Sequence, residues 1–297
     1  MNQALIVMKK TKYELDTSIY SDLDFYKKIC MIQNNSFEKI YQSHLRQLES
    51  RRILMEEVFP SGTFIFRDRL ETLDLPKYKA IVALGGDNHF TYVAHHCDQN
   101  IILGCNSDTE TSLGALLAFN PLSLKATIQK DWANTTIENW SLLSVTIEYP
   151  DEKKITTVNA VSEISIRNMS PDLTSRYIIK YEDKLEEQKS SGLLLYTGAG
   201  STGWYASCKN DEDGQTSFPK SANFFRAFAR ELSRKARQNF KLTDFTVTDS
   251  CQIISEMNGG ISIDALPERI YPFPAGSVAT ISLSKEKLKV LTHVKEV

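Results

Sequence analysis

The sequence predicts an α/β fold, with an N-terminal, Rossmann-like parallel-sheet domain joined to a strand-rich second domain. Three observations carry that expectation. Compact apolar runs alternate with amphipathic stretches through the first third of the chain, the pattern of a parallel sheet covered by helices. One of those runs, Ile81-Val82-Ala83-Leu84, ends in Gly85-Gly86-Asp87, and open α/β sheets bind ligands beyond the carboxyl ends of their strands. From about Ala126 the chain shifts to segments rich in β-branched and aromatic residues bounded by turn formers, which favours strands.

In chain order, Ala4-Leu5-Ile6-Val7-Met8 reads as a buried strand. A helix is expected over 35–58, where Asn35 and Glu38 stand at capping-box spacing and Tyr41, Leu45 and Leu48 recur at i, i+4 and i+7 as an apolar face. Thr63 to Phe66 and Ala80 to Leu84 read as strands, a helix is expected from about Thr91, and Ile101 to Cys105 is the next strand. In the second domain Leu142 to Tyr149, Ile155 to Ile166, Tyr177 to Tyr181 and Leu193 to Tyr196 read as strands. Pro219 suits the first turn of a helix reaching about Gln238, with Phe225, Phe228, Leu232 and Ala236 on one face and Arg226, Arg230, Arg234 and Arg237 as a basic stripe opposite. Strands return near Val278 to Leu283 and Leu288 to Leu291. The expected domains are 1–128, joined by 275–297, and 129–274.

A length of 297 residues exceeds the common single-domain range, which favours two domains. The formal net charge of −2 lacks the basic balance that nucleic-acid or anionic-membrane partners usually leave, so neither partner is expected and any anion site must be local. Cys30, Cys97, Cys105, Cys208 and Cys251 are scattered without C-x-x-C spacing, which fits reduced thiols. No apolar run approaches the roughly 18 residues that span a bilayer, and Met1-Asn2-Gln3 leads straight into the first strand. The expected location is therefore the cytoplasm.

Two segments carry chemistry. In Gly85-Gly86-Asp87 the glycines let backbone N–H groups turn toward an anion and the aspartate supplies an acceptor beside them. A plain strand-ending turn is the alternative for that tripeptide alone. Thr197-Gly198-Ala199-Gly200-Ser201-Thr202-Gly203-Trp204 follows the apolar run Leu193 to Tyr196 and suits a loop whose backbone touches a ligand while hydroxyls and Trp204 pin a base or ribose. It lacks the Gly-Lys-Ser/Thr ending of a Walker loop, and a glycine-rich hairpin is its plain alternative.

Read together with Leu103-Gly104-Cys105-Asn106 and Ala160-Val161-Ser162-Glu163, these segments resemble, in order, the GGDG, G-x-N, A-L-N-E and T-P-T-G-S-T-A-Y motifs of the NAD kinase family. Gln188-Lys189-Ser190-Ser191-Gly192-Leu193, the T-G-x-G-S-x-x-W form of the late loop and the opening Ala4 to Glu14, with Lys9-Lys10-Thr11-Lys12-Tyr13-Glu14, are closer to its mitochondrial-type branch. The resemblance implies an NAD kinase-like fold and transfer of the terminal phosphate of ATP to the adenosine ribose 2′-hydroxyl of NAD or NADH, giving the NADP product. It implies Asp87 as the group that orients and deprotonates that hydroxyl, Gly85 and Gly86 as donors to the phosphates, and Asn106 near the diphosphate or the adjoining strand end, where a turn-capping amide is its plain alternative. It further implies that Ser162 and Glu163 hold the adenosine and that Ala199, Thr202 and Gly203 line the adenine pocket, beside Trp204. Mg²⁺ would come with ATP rather than on a protein metal site, small-molecule nucleotides would be the partners, and a homodimer the assembly.

The sequence departs from those motifs at three places. Asn88-His89-Phe90 follows the aspartate where the family has Gly-Thr and an apolar residue. Asn is the residue best able to replace Gly at positive φ, and His89 is expected to contact a phosphate in place of the threonine hydroxyl. Ser162 replaces an asparagine, and Asn258-Gly259-Gly260 occupies the place of a late Asp-Gly pair. Asn88, His89 and Ser162 leave open a nucleotide-binding homologue with weak or no turnover. A kinase with another acceptor is the further alternative, since lipid kinases of the diacylglycerol type share a related turn, although the Thr197 to Trp204 loop argues against it. No zinc site is expected at His89, His95, His96 and Cys97, which lack a second ligand pair at a recognised spacing. Asp211-Glu212-Asp213 reads as a solvated loop.

Overall fold

Five consecutive apolar residues make β1 (Ala4–Met8) buried along its whole length, as a central parallel strand must be. In the computed structural model, which describes residues 4–130, 135–211, 214–232 and 239–293, this strand belongs to the first of two units. That unit comprises Met1–Glu138 with Lys289–Val297, and the second comprises Asn139–Leu288.

In the first unit β1 is followed by α1 (Lys12–Ile19), α2 (Leu23–Ile32) and α3 (Phe37–Ile53), which ends in a π-helical turn, Leu54–Val58. Then come β2 (Thr63–Phe66), β3 (Ala80–Gly85), α4 (Asp87–Ala94), β4 (Ile101–Asn106) and α5 (Pro121–Lys130). The strands lie in the order β2-β1-β3-β4 and are all parallel, with Met8 beside both Phe66 and Leu84, and Gly85 beside Asn106. Ile6, Val82 and Leu103 from the strands and Leu54, Phe119 and Leu124 from the covering segments form its core.

Three local expectations change. Ser36, not Asn35, caps α3, its side chain accepting from the Lys39 N–H at 3.3 Å. Leu45 and Leu48 do not face the core; they are 40% and 37% exposed. The inward side of α3 instead carries Ser43, Arg46, Ser50 and Arg51, each with a hydrogen-bond partner. Burial of such groups is tolerable because each is paired. Finally, α4 begins at Asp87 rather than near Thr91, so the aspartate is the first helical residue.

The second unit is reached along β5 (Thr135–Glu148) and continues through β6 (Lys154–Thr156), β7 (Glu163–Asn168), β8 (Ser175–Tyr181), β9 (Lys184–Ser190) and β10 (Gly192–Tyr196). After these come α6 (Trp204–Lys209), β11 (Phe225–Arg230), β12 (Asp244–Val247), β13 (Ser250–Ser255), β14 (Gly259–Ile263), β15 (Ile270–Phe273) and β16 (Val278–His293). One antiparallel sheet runs β12-β11-β10-β7-β14-β15. The other places β9, β8, β13 and the start of β16 side by side, with β5 on β16 and β6 on β5. Ile164, Leu195, Phe225 and Ile261 of the first share a core with Tyr177, Ile179, Ile253 and Ile281 of the second. The last residues of β16 return to the first unit, where Lys289 and Val290 pair in parallel with Ile101 and Ile102 of β4.

The expected helix from Pro219 is overturned: Phe225 to Arg230 alternate between buried and half-buried and pair with β10, Phe228 opposite Leu194. A period of two over these six residues outweighs the helical spacing of the phenylalanines. Residues 233–238, and with them Arg234 and Arg237, lie outside the described residues, as do Glu212 and Asp213. The stripe is not found at Arg226 and Arg230, which bind Asp244 at 2.8 Å and the Ser191 carbonyl at 2.8 Å. Expected strands elsewhere form, although Ile155 to Ile166 divides into β6 and β7 and the two last runs are one strand. Among the described residues no helix is long and apolar enough to cross a membrane.

Candidate functional site

At the carboxyl edge of the parallel sheet, β3 ends at Gly85 and Gly86 caps α4 with extended backbone, φ −104° and ψ −175°. Neither glycine has positive φ. Gly85 is required instead by close approach, because a Cβ there would meet His89 Cδ2 at 2.7 Å. Asp87 follows as the first residue of the helix, where the partial positive charge of the helix start favours a carboxylate. Its Oδ1 accepts the Leu116 N–H at 2.9 Å and its Oδ2 the Ala115 N–H at 3.1 Å. Each oxygen thus keeps room for a further donor.

A cavity of about 360 Å³ opens at this edge, lined among others by Lys9, Gly86, Asp87, Asn88, Ser107 and Ser112. Its far wall is the 107–112 loop, fixed to α3 by Asp108. That buried carboxylate takes Arg46 Nε at 2.7 Å, Ser43 Oγ at 2.6 Å and Thr111 Oγ1 at 2.6 Å. Burial alone would raise its pKa, but Arg46, Ser43 and Thr111 together hold it below the usual aspartate value. Asn106 spends both ends of its amide on the same loop: Oδ1 accepts the Asp108 N–H at 3.1 Å and Nδ2 donates to the Ser112 carbonyl at 3.0 Å. This is a turn-capping amide.

Two expectations at the turn are corrected. Asn88 is exposed and helical, so it is not present to supply a positive φ. His89 does not offer a phosphate an N–H. Its ring is buried, with Nε2 2.9 Å from the Val7 carbonyl. Burial first, then the charges of Arg67 and Lys9, lower its pKa to about 4. A neutral ring that donates from Nε2 has only an acceptor at Nδ1, and Nδ1 is without a hydrogen-bond partner among the described residues.

In the second unit the antiparallel pairing of Tyr196 with Glu163 brings the end of β10 beside the start of β7, and with it the late loop beside Ser162. The Thr197 hydroxyl organises both segments. It donates to the Val161 carbonyl at 2.6 Å and accepts the N–H groups of Ala199 and Gly200 at 3.1 and 3.3 Å. Gly200 lies so close to the Ser162 carbonyl that a Cβ would meet that oxygen at 2.2 Å. Ala199 and Ser162 are buried. Thr202 is half-buried with its hydroxyl on the Ala199 carbonyl at 3.1 Å, and Gly203 is exposed as the cap of α6. Trp204 opens that helix, one face of its indole under the Arg230 guanidinium at 4.5 Å.

Glu163 is half-buried, its carboxyl raised above the usual range by burial and then by the negative charge of Asp264. Asp264 itself escaped the sequence reading. It sits just past β14 at φ 50° and accepts three consecutive backbone N–H groups, of Val161, Ser162 and Glu163, at 2.8, 2.7 and 2.9 Å. A lone aspartate after the run Ile261-Ser262-Ile263 was the available signal, but an aspartate after a strand usually only caps a turn. Arg46 and Asp108 also escaped, since their pairing across 62 residues has no local signature.

Neither a family model nor a curated protein matches the sequence. Solved structures match its fold. One is an NAD kinase from Archaeoglobus fulgidus in complex with ATP, with a TM-score of 0.58 at 17% identity over 98% of this chain and 92% of that one. Another is yeast NADH kinase complexed with NADH, with a TM-score of 0.66 at 12% identity over 99% of this chain and 84% of that one. The likeness is one of fold, and it extends through both units.

Proposed function

We propose that this protein is a kinase that transfers the terminal phosphate of ATP to the 2′-hydroxyl of the adenosine ribose of NAD or NADH, on the pattern of the mitochondrial-type NAD kinases. The observation that carries the reading is the Gly85-Gly86-Asp87 turn, which lines a cavity at the carboxyl edge of a parallel sheet in a chain whose fold is similar to that of an NAD kinase and an NADH kinase. Phosphoryl transfer demands alignment and charge stabilisation more than covalent work from the protein. Asp87 orients the hydroxyl and takes its proton, and the start of α4 faces the donor phosphates with its free N–H groups. Glu163, with Ser162 and the loop from Thr197 to Trp204, holds the adenosine.

Mg²⁺ suits this cavity only as an ion brought in on the triphosphate. Among the described residues no three His, Cys, Asp or Glu side chains converge to hold a metal, and Asp108 is saturated by Arg46, Ser43 and Thr111. Asp87 is assigned to the ribose hydroxyl, so the phosphates themselves and water would hold the ion. The ion would supply charge neutralisation on the phosphates. We further assign the protein to the cytoplasm and to a homodimer, the latter checked by light scattering.

A chromatographic assay of the purified protein against NAD and NADH, with ATP or polyphosphate and Mg²⁺, tests the reading. NADP or NADPH is the expected product. A second reading, a nucleotide-binding homologue without turnover, is favoured by Asn88 in the cavity wall and by the two amides already bound to Asp87. NAD binding by calorimetry with no product under any of these conditions would select it. Phosphorylation of a lipid acceptor instead would overturn both.

A further inference from the structure

The register of the parallel sheet sets three residues side by side at its carboxyl edge. Met8 pairs with Phe66 on one side and Leu84 on the other, so the next residues are Arg67, Lys9 and Gly85. Lys9 lines the cavity beside the Gly-Gly-Asp turn. Among the described residues neither Lys9 nor Arg67 has a carboxylate within ion-pair distance, whereas Lys10 pairs with Asp68 at 3.7 Å and lies over the Phe66 ring. Arg67 is held over the Tyr92 ring of α4 at 4.8 Å.

Those two cations repel each other. Lys9 and Arg67 are both exposed at this edge, but partial loss of solvent around the lysine and then the charge of Arg67 hold the Lys9 ammonium below the usual lysine value, and both cations depress His89. Two like charges left unpaired next to the start of a helix raise the local potential, and a bound polyanion would relieve that cost. The neutral, buried His89 adds no charge there, so the positive field at the turn belongs to Lys9, Arg67 and the helix start.

We propose that Lys9, supported by Arg67, binds the polyphosphate chain of the phosphate donor in this cavity. The assignment rests on the kinase reading for the identity of the donor, but the anion site itself does not. It gives this chain a cationic contact to the donor at the end of β1, on the side of the turn opposite Asn106.

The test uses the full chain and inorganic triphosphate as the probe, measured by calorimetry. Wild type binds it, Lys9→Ala weakens binding about ten-fold or more, Lys9→Arg restores most of it, and Lys10→Ala leaves it unchanged. In the kinase assay Lys9→Ala raises KM for ATP with KM for NAD unchanged. Thermal melts confirm that the variants fold; the Lys9 carbonyl, which accepts Arg51 at 2.7 Å, is untouched by these substitutions. Equal triphosphate binding by wild type and Lys9→Ala would overturn the proposal, as would no binding by wild type. Lys9-dependent binding without any NADP formation would support the anion site while removing the kinase reading.

Discussion

Gly85 lies directly beneath His89, and an added Cβ would come within 2.7 Å of Cδ2 and 2.8 Å of Cβ of that side chain. The ring has little room to retreat, since it is buried and its Nε2 is 2.9 Å from the Val7 carbonyl. Gly85→Ala is therefore expected to destabilise the protein by about 1–3 kcal/mol, the range for overpacking a filled core. At Gly86 a Cβ meets only Ser112 Oγ at 3.1 Å, a small side chain that can rotate. Urea unfolding of both alanine variants checks this: a lower midpoint for Gly85→Ala than for Gly86→Ala is expected, and equal midpoints would show that the helix start shifts freely.

Asp87→Asn separates the chemical role proposed for this residue from its structural one. In wild type both carboxylate oxygens accept, one from Ala115 and one from Leu116. An asparagine must turn its NH₂ toward one of those N–H groups, so one bond is lost and two donors oppose. A stability loss of about 2 kcal/mol is expected alongside the loss of turnover. Unfolding curves measured beside kinetics check it. Lost turnover with unchanged stability would confine the role of Asp87 to chemistry.

The first unit was largely legible because its strands are continuous apolar runs, which a centrally buried parallel strand requires and few other segments tolerate. The helix α3 was legible as a helix but not in its orientation. Hydrophobic spacing points Leu45 and Leu48 inward, whereas Arg46 and Arg51 occupy that side because their partners, Asp108 and Glu14, arrive from distant parts of the chain. Periodicity cannot register a partner 62 residues away. The same holds for Asp264, whose three backbone partners lie more than a hundred residues earlier. The segment from Phe225 to Arg230 fits helical and strand spacing at once, and its pairing with β10 decides between them.

Asp264 is expected to be the most sensitive of these polar residues. Replacing it with alanine strips a charged acceptor from three backbone N–H groups and leaves an alanine at φ 50°. A loss of about 3 kcal/mol or more follows from the unmet donors alone. Asp264→Asn keeps one acceptor and a residue type that tolerates this backbone region, so it should fall between alanine and wild type. Chemical denaturation of the two variants gives the order, and an alanine variant as stable as wild type would contradict it.

Acid stability should depend on Glu14. Arg51 grips this carboxylate with Nη1 on Oε1 and Nη2 on Oε2, both at 2.6 Å, and Thr11 completes a capping box. Burial works against ionisation, but the Arg51 and Thr11 hydrogen bonds prevail and lower the pKa from 4.5 to about 2. A depressed carboxylate stabilises the folded state above its unfolded value, and that contribution disappears as pH falls from 4.5 toward 2. Unfolding midpoints followed downward from pH 6 should therefore fall less steeply in Glu14→Gln than in wild type. Parallel curves would assign the acid limb to other groups.

Glu163 should behave with the opposite sign. Burial, and after it the charge of Asp264, raises its carboxyl above the ordinary 4.5. In the unfolded chain the group ionises near 4.5, whereas in the folded chain it holds its proton to higher pH. The stability this proton contributes is complete below 4.5 and is lost as pH rises through the folded value. Glu163→Gln has no proton to lose, so its stability relative to wild type should grow on going from pH 4 to pH 9, read from urea midpoints. If the carboxyl also holds the adenosine, the same variant should bind NAD more weakly at neutral pH. Greater stability with weaker binding is the signature of a group kept at a cost for its ligand. A variant that gains stability and binds NAD as wild type does would leave Glu163 outside the nucleotide site.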